Sequence, residues 1–283
     1  MKIPRNLRPL LDDGLIDTVH RQLQSGKEAT VYVVTSGDDF FCAKVYKDTD
    51  RRSFKRRSDY GEGRRGKNSR NQRAQGRRSR HGRKVEEAQW KNTEIEALYR
   101  LMDADVRVPT PHGVHEGVLM MELVRDIDGD PAPRLGEVPM TAEQAREWHA
   151  FMMQQIVRML CADVIHGDLS EYNVLVGPEG PVIIDLPQAV AATGNNHALR
   201  LLARDVNNMQ ATFSRHAPEL REAEYARELW DRYETGTLEP DTVLTGKRIR
   251  QEAIADVDAV LEEIEEARLE AEERELARAE AWE

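Results

Sequence analysis

A chain of 283 residues, 40% of them hydrophobic, carries enough apolar side chains for one two-lobed domain or two small ones, which excludes global disorder. No run of eighteen apolar residues is present to cross a bilayer, and Met1–Leu10 lacks the apolar centre of a signal peptide. The net charge of −10 averages two opposed segments: residues 51–84 hold fifteen Lys/Arg against two acids, and residues 251–283 hold thirteen acids against three arginines.

Residues 15–24 (LIDTVHRQLQ) read as a short helix, with Leu15, Ile16, Val19 and Leu23 on one face. After the Ser25-Gly26 turn, VYVV and FFCAKVY read as a hairpin closed by Ser36-Gly37-Asp38-Asp39. The stretch 51–84 has almost no apolar residues and reads as a mobile basic loop. Helical character returns from Val85 to Met102 and stops at Pro109 and Pro111; Val118–Leu123 is then an apolar strand. Thr141 and Gln144 make a capping box for a helix running through Trp148, Ile156 and Met159. NVLVG and PVIIDL are short β-type runs around the turn at 177–180, helices are expected at 196–214 and 218–234, and the tail from 248 reads as one long acidic helix. Cys42 and Cys161 both sit among apolar residues and read as reduced core thiols, which favours the cytoplasm.

This order predicts an α+β arrangement of two lobes around a cleft. The expected divisions are an N-terminal helical segment (1–24), a β-rich small lobe (25–124), a mostly helical large lobe (125–247) and the acidic helix (248–283).

The strongest chemical signal is HGDLSEYNVL, which sets Asp168 and Asn173 five residues apart before an apolar strand, with Asp185 at the end of the next one. Each residue alone reads as a turn former or strand terminator. Together they match what phosphoryl transfer needs: a carboxylate for the attacking hydroxyl, and an amide oxygen with a second carboxylate for a divalent cation on the phosphates. Lys44, flanked by apolar residues on a strand, is costly to bury without a partner, and Glu94 in WKNTEIEAL is the leading candidate with Glu96 its competitor. Ser25, Gly26, Lys27, Glu28 and Ala29 form a short turn suited to covering phosphates, although it is neither G-x-G-x-x-G nor a Walker A sequence. Met121, Glu122 and Val124 are placed where an interlobe connector would meet an adenine ring.

In SGKEATVY (25–32), CAKVYK (42–47), VLMMELV (118–124), HGDLSEYNVLV (166–176) and IIDLPQAV (183–190), the chain resembles the RIO family of atypical serine/threonine protein kinases, specifically a prokaryotic form of the branch with an S-x-G-K-E-A nucleotide loop. The resemblance covers about residues 15–235. It implies a truncated kinase fold without the usual activation segment, and no A-P-E-like stretch follows Asp185. It also implies ATP with Mg²⁺ or Mn²⁺ as cofactors, and catalysis by Lys44, Asp168 and Asp185 with Asn173 and Asp185 on the metal. Further implications are ATPase turnover or autophosphorylation, with Asp185 or the loop serines Ser53, Ser58, Ser69 and Ser79 as acceptors, and a link to small-ribosomal-subunit maturation. Pro187, in place of a small polar residue, and the length of the 51–84 loop depart from the family pattern.

The basic loop could neutralise RNA phosphates, which keeps open a second reading as an RNA- or ribosome-binding assembly factor. A third reading, a small-molecule phosphotransferase of the antibiotic-kinase type, shares the H-G-D…N…D pattern but not the S-G-K-E-A loop.

Overall fold

Central to the fold is a five-stranded antiparallel sheet in the order β1-β2-β3-β5-β4. Its strands are β1 (Thr18–Ser25), β2 (Ala29–Ser36), β3 (Asp39–Tyr46), β4 (Pro111–His115) and β5 (Val118–Glu122). The computed structural model describes residues 3–26, 29–47 and 93–247. The readings made for Lys27, Glu28, the basic loop 51–84 and the acidic helix from 248 lie outside these residues.

β3 is the middle strand, and its alternation divides the lobe. Phe41, Ala43 and Val45 pack with Leu7, Leu10, Ile16, Val34, Val118 and Met120 on one face. Cys42 packs with Val33 and Leu123 on the other, the face that also carries Lys44. A short helix α1 (Arg8–Asp12) supplies Leu10 to the first cluster, and helix α2 spans residues 93–103 between β3 and β4.

The helix expected over 15–24 is corrected: these residues form strand β1, paired antiparallel to β2 from Thr18↔Thr35 to Ser25↔Thr30. Two register shifts, between Val19 and Arg21 and between Gln22 and Gln24, explain the misreading. Each bulge inserts an unpaired residue and inverts the alternation. Val19 therefore packs against one cluster and Leu23 against the other, and the apolar spacing of four mimics a helical stripe. β4 was also unforeseen, because Pro111 reads as a breaker; proline is tolerated as the first residue of an edge strand.

The large lobe is built on α3 (Ala142–Cys161), α4 (Ala198–Ser214) and α5 (Tyr225–Glu234). Thr141 caps α3 as expected: Gln144 N–H donates to Thr141 Oγ1 at 3.2 Å and Thr141 N–H to Gln144 Oε1 at 3.2 Å. The helix expected over 218–234 is broken, with a 3₁₀ turn at Pro218–Glu222 preceding α5. A two-stranded hairpin, β6 (Val174–Gly177) and β7 (Gly180–Ile183), lies apart from the main sheet. Among the described residues, no helix is long and apolar enough to cross a membrane. Both cysteines are free; Cys42 is buried, whereas Cys161 is exposed rather than in the core.

His149 of α3 is 2% exposed and packs between the rings of Phe213 and Tyr225, with no hydrogen-bond partner for Nε2. Burial lowers its pKa from the ordinary 6.5 to about 4. Between these values the unfolded chain takes up a proton that the folded chain refuses. Stability is therefore greatest above the unfolded value and falls as the pH drops toward the folded one, by on the order of 3 kcal/mol at most. We expect His149→Leu to lose less stability than the unaltered protein between about pH 7.5 and about pH 4.5, measured by urea unfolding. An identical loss in both proteins would remove His149 as the cause.

Candidate active site

Lys44 points from the middle of the sheet into the interior, where its side chain is 10% exposed. The ammonium meets two carboxylates there. Glu94, on α2 and 5% exposed, forms a close ion pair with it, and Asp185 Oδ1, from the other lobe, lies 3.0 Å away. Glu94, not the exposed Glu96, is thus the partner. Tyr46, two residues along β3 on the same face, donates its hydroxyl to Glu94 Oε2 at 2.8 Å and fixes the second oxygen. Burial works against the ammonium, but the charges of Glu94 and Asp185 outweigh it and raise the Lys44 pKa above that of free lysine. The same burial and the Glu94 charge raise the Tyr46 phenol, which stays protonated as a donor.

The loop bearing Asp168 is held from beneath. Asp205, on α4 and 2% exposed, accepts Gly167 N–H at 2.7 Å and Leu169 N–H at 2.9 Å. Burial lifts its carboxyl to about 6, against the opposing pull of the two N–H groups. His166 is buried beside it: Nε2 donates to the Ile184 carbonyl at 3.0 Å, and Nδ1 accepts Asp168 N–H at 3.3 Å. Gly167 takes a φ of +80°, which only glycine adopts without strain. Asp168 itself is exposed, with Gln188 Nε2 donating to Oδ2 at 3.2 Å.

Hairpin β6–β7 sets the spacing between Asn173 and Asp185. Val174 pairs with Ile183, and Ile184 N–H donates to the Asn173 carbonyl at 3.0 Å, so the two residues leave the same open end. Asn173 Nδ2 donates to the Asp168 carbonyl at 2.8 Å, which commits the amide nitrogen and frees the amide oxygen. Asp185 has a φ of +66° and a side chain 50% exposed. Aspartate is one of the few residues besides glycine that enter this left-handed region, as Asp105 and Asp163 also do.

The remaining expected residues fall at the margins of this group. Lys47 Nζ donates to Ser25 Oγ and to the Gly26 carbonyl, each at 2.7 Å, and Gly26 N–H donates to the Ala29 carbonyl at 2.9 Å, closing the turn ahead of β2. Met121 packs against clusters of both lobes, and Val124 is buried just past β5. Glu122 is engaged through its side chain and its backbone N–H alike. Its carboxylate is held bidentately by Arg107, at 2.7 and 2.9 Å, and its N–H donates to the Thr110 carbonyl at 2.8 Å.

Sequence reading missed Asp205, Gln188, Tyr46 and Arg107. Asp205 had one available signal, a lone acid among the apolar positions of ALRLLARDVNNM.

Among the described residues, no three His, Cys, Asp or Glu side chains are placed to hold a metal ion. Asn173 and Asp185 are nonetheless a donor set that suits magnesium, which takes one or two protein oxygens and completes its octahedron with phosphate and water.

A sequence profile described as the RIO domain matches residues 30–226. The RIO-type serine/threonine-protein kinase Rio1 of Haloferax volcanii is 36% identical over 207 residues, covering 73% of this chain and 67% of that protein. The human serine/threonine-protein kinase RIO1 is 33% identical over 216 residues, or 74% of this chain and 35% of its own length. The Schizosaccharomyces pombe rio1 kinase is 30% identical over 216 residues, or 74% and 41%. The chain thus spans two thirds of the archaeal relative and less than half of the eukaryotic ones.

Removing one member of a buried ion pair strands the other, at a cost of about 3 kcal/mol or more, whereas replacing both with apolar groups is nearly neutral. We expect Lys44→Met, which leaves the buried Glu94 without its cation, to be the most destabilising change, Glu94→Leu, which leaves Lys44 paired with Asp185, less so, and the double variant more stable than Lys44→Met alone, in chemical unfolding. Additive effects would show that the two side chains are not energetically coupled.

Proposed function

The chain belongs to the RIO family of serine/threonine kinases, and from that premise we propose that it transfers the γ-phosphoryl group of ATP, with Mg²⁺ or Mn²⁺, to a seryl or threonyl hydroxyl. The single observation that carries this reading is Lys44, held by Glu94 on one side and 3.0 Å from Asp185 on the other.

In this reading the exposed Asp168 carboxylate receives the hydroxyl proton, and Gln188 orients it by holding one of its two oxygens. The hydroxyl oxygen forms a bond to the γ-phosphorus as the bond to the β,γ-bridging oxygen breaks, leaving ADP. Lys44 turns its ammonium from Asp185 to the α- and β-phosphates while Glu94 keeps its stem in place. Asn173 and Asp185 hold the metal, which supplies charge neutralisation on the phosphates. The sequence stretch Ser25, Gly26, Lys27, Glu28 and Ala29 is assigned to the phosphates. Met121 and Val124 frame the adenine, and Glu122 acts through the position of its backbone.

The substrate includes the chain itself, at Ser53, Ser58, Ser69 or Ser79, and water where no hydroxyl is supplied. The arginine-rich sequence 51–84 suits RNA phosphates, consistent with work on a ribosomal particle, and two free thiols suit the reducing cytoplasm. The antibiotic-kinase reading has no support among the reported relatives, all named serine/threonine kinases.

Incubation with γ-labelled ATP and magnesium should label the chain or release labelled phosphate. Asp185→Asn preserves shape and left-handed tolerance while removing a metal-holding charge worth several kcal/mol, so turnover should fall at least a hundredfold. Near-normal turnover in that variant would refute the assignment. Deleting residues 61–83 should leave ATP binding intact and sharply reduce RNA association at low salt, measured by filter binding; unchanged association would dismiss RNA as a partner of this segment.

A further inference from the structure

Arg107 lies in the short segment between α2 and β4 and is bound on several sides. Its guanidinium makes a forked contact with Glu122, Nη1 to Oε2 at 2.9 Å and Nη2 to Oε1 at 2.7 Å, and Nη1 also donates to the Val108 carbonyl at 3.0 Å. Thr110 N–H adds a third bond to Glu122 Oε2 at 3.0 Å. Burial works to raise the Glu122 carboxyl, but these hydrogen bonds outweigh it and hold the group below the ordinary carboxylate value, so the pair is ionised.

The backbone of Arg107 is engaged as fully as its side chain. Its N–H donates to Oε1 of Gln155, a buried residue of α3, at 2.7 Å. Its carbonyl accepts Ile183 N–H at 2.9 Å, at the end of β7 and two residues before Asp185. Glu122, in turn, is the last residue of β5 and opens the connector Leu123-Val124. One residue therefore joins the connector, the central helix of the large lobe and the strand that presents Asp185.

We propose that Arg107 is a positioning residue that sets the base specificity of the nucleotide site, by fixing the connector against the strand that carries Asp185. The inference rests on the ATP reading above. Adenine and guanine present opposite donor and acceptor patterns at the N6/O6 position. A backbone connector distinguishes them only if it is held still, because discrimination is the difference between one satisfied pattern and one unsatisfied pattern. A planar guanidinium fork fixes the direction of the Glu122 side chain in a way that a lysine ammonium does not. The plain alternative is a half-exposed ion pair that contributes a little stability and nothing to recognition.

The two are separated by measuring the affinities of ATP and GTP for the full chain by calorimetry. The unaltered protein should prefer ATP. Arg107→Gln should weaken ATP about tenfold while changing GTP little, so that the preference shrinks. Arg107→Lys should recover only part of it, and the exchanged pair Arg107→Glu with Glu122→Arg should recover more than either single change. If Arg107→Gln does not fold, as judged by thermal melting, the Arg107→Lys preference decides. A preference unchanged in the folded variants, or ATP and GTP weakened in step, would overturn the inference and leave the ATP reading intact. Equal binding of both nucleotides by the unaltered protein would do the same. Failure of the unaltered protein to bind either would overturn both.

Discussion

A full positive charge in the middle strand of a sheet cannot be left alone. Lys44 lies between apolar neighbours on β3, in a place where an unpaired ammonium would be prohibitive. The fold resolves this by bringing one acid from α2 and another from beyond β7, which are 50 and 141 residues away in the chain. The small lobe, its helix and the hairpin of the large lobe are thereby brought into register by one side chain. The same arrangement leaves a cation facing an acid across the lobes. The assembly of the site and the burial of Lys44 are one event.

The rest of the site divides into buried anchors and exposed agents. Asp205 and His166 are nearly inaccessible and bind backbone; Asp168 and Asp185 are open and are themselves held by few contacts. Rigidity is supplied from below, so the two open carboxylates are held without a dense set of partners that would occupy their oxygens. His166 serves both halves, since one nitrogen receives the amide of Asp168 while the other reaches the carbonyl just before Asp185.

Much of this was legible in the residues. Asp168, Asn173, Asp185 and Lys44 stood out because each is a polar residue set against an apolar strand, a local contrast that survives without coordinates. The cost of burying charge called for an acidic partner for Lys44, with Glu94 and Glu96 both available in the sequence; the fold selects Glu94. What escaped was what depends on contacts between distant segments. The backbone anchoring by Asp205 and the hold of Arg107 on Glu122 involve side chains whose partners are set by tertiary packing alone. β1 was misread for a different reason: its bulges erase the two-residue alternation from which a strand is recognised. The direction of the Glu122 carboxylate is likewise decided by a residue 15 positions earlier.

The irregular margins of the main sheet have an effect on how the molecule behaves among its own copies. Both outer strands are interrupted, β1 by two bulges and β4 by a shift between Pro111 and Val114. A flat, regular border would offer a row of unpaired amides and carbonyls for another chain to zip onto. Here the spacing is broken on both sides and one donor is replaced by proline, so the border is a poor template. Among the described residues, the two borders of the sheet thus discourage strand addition by another copy.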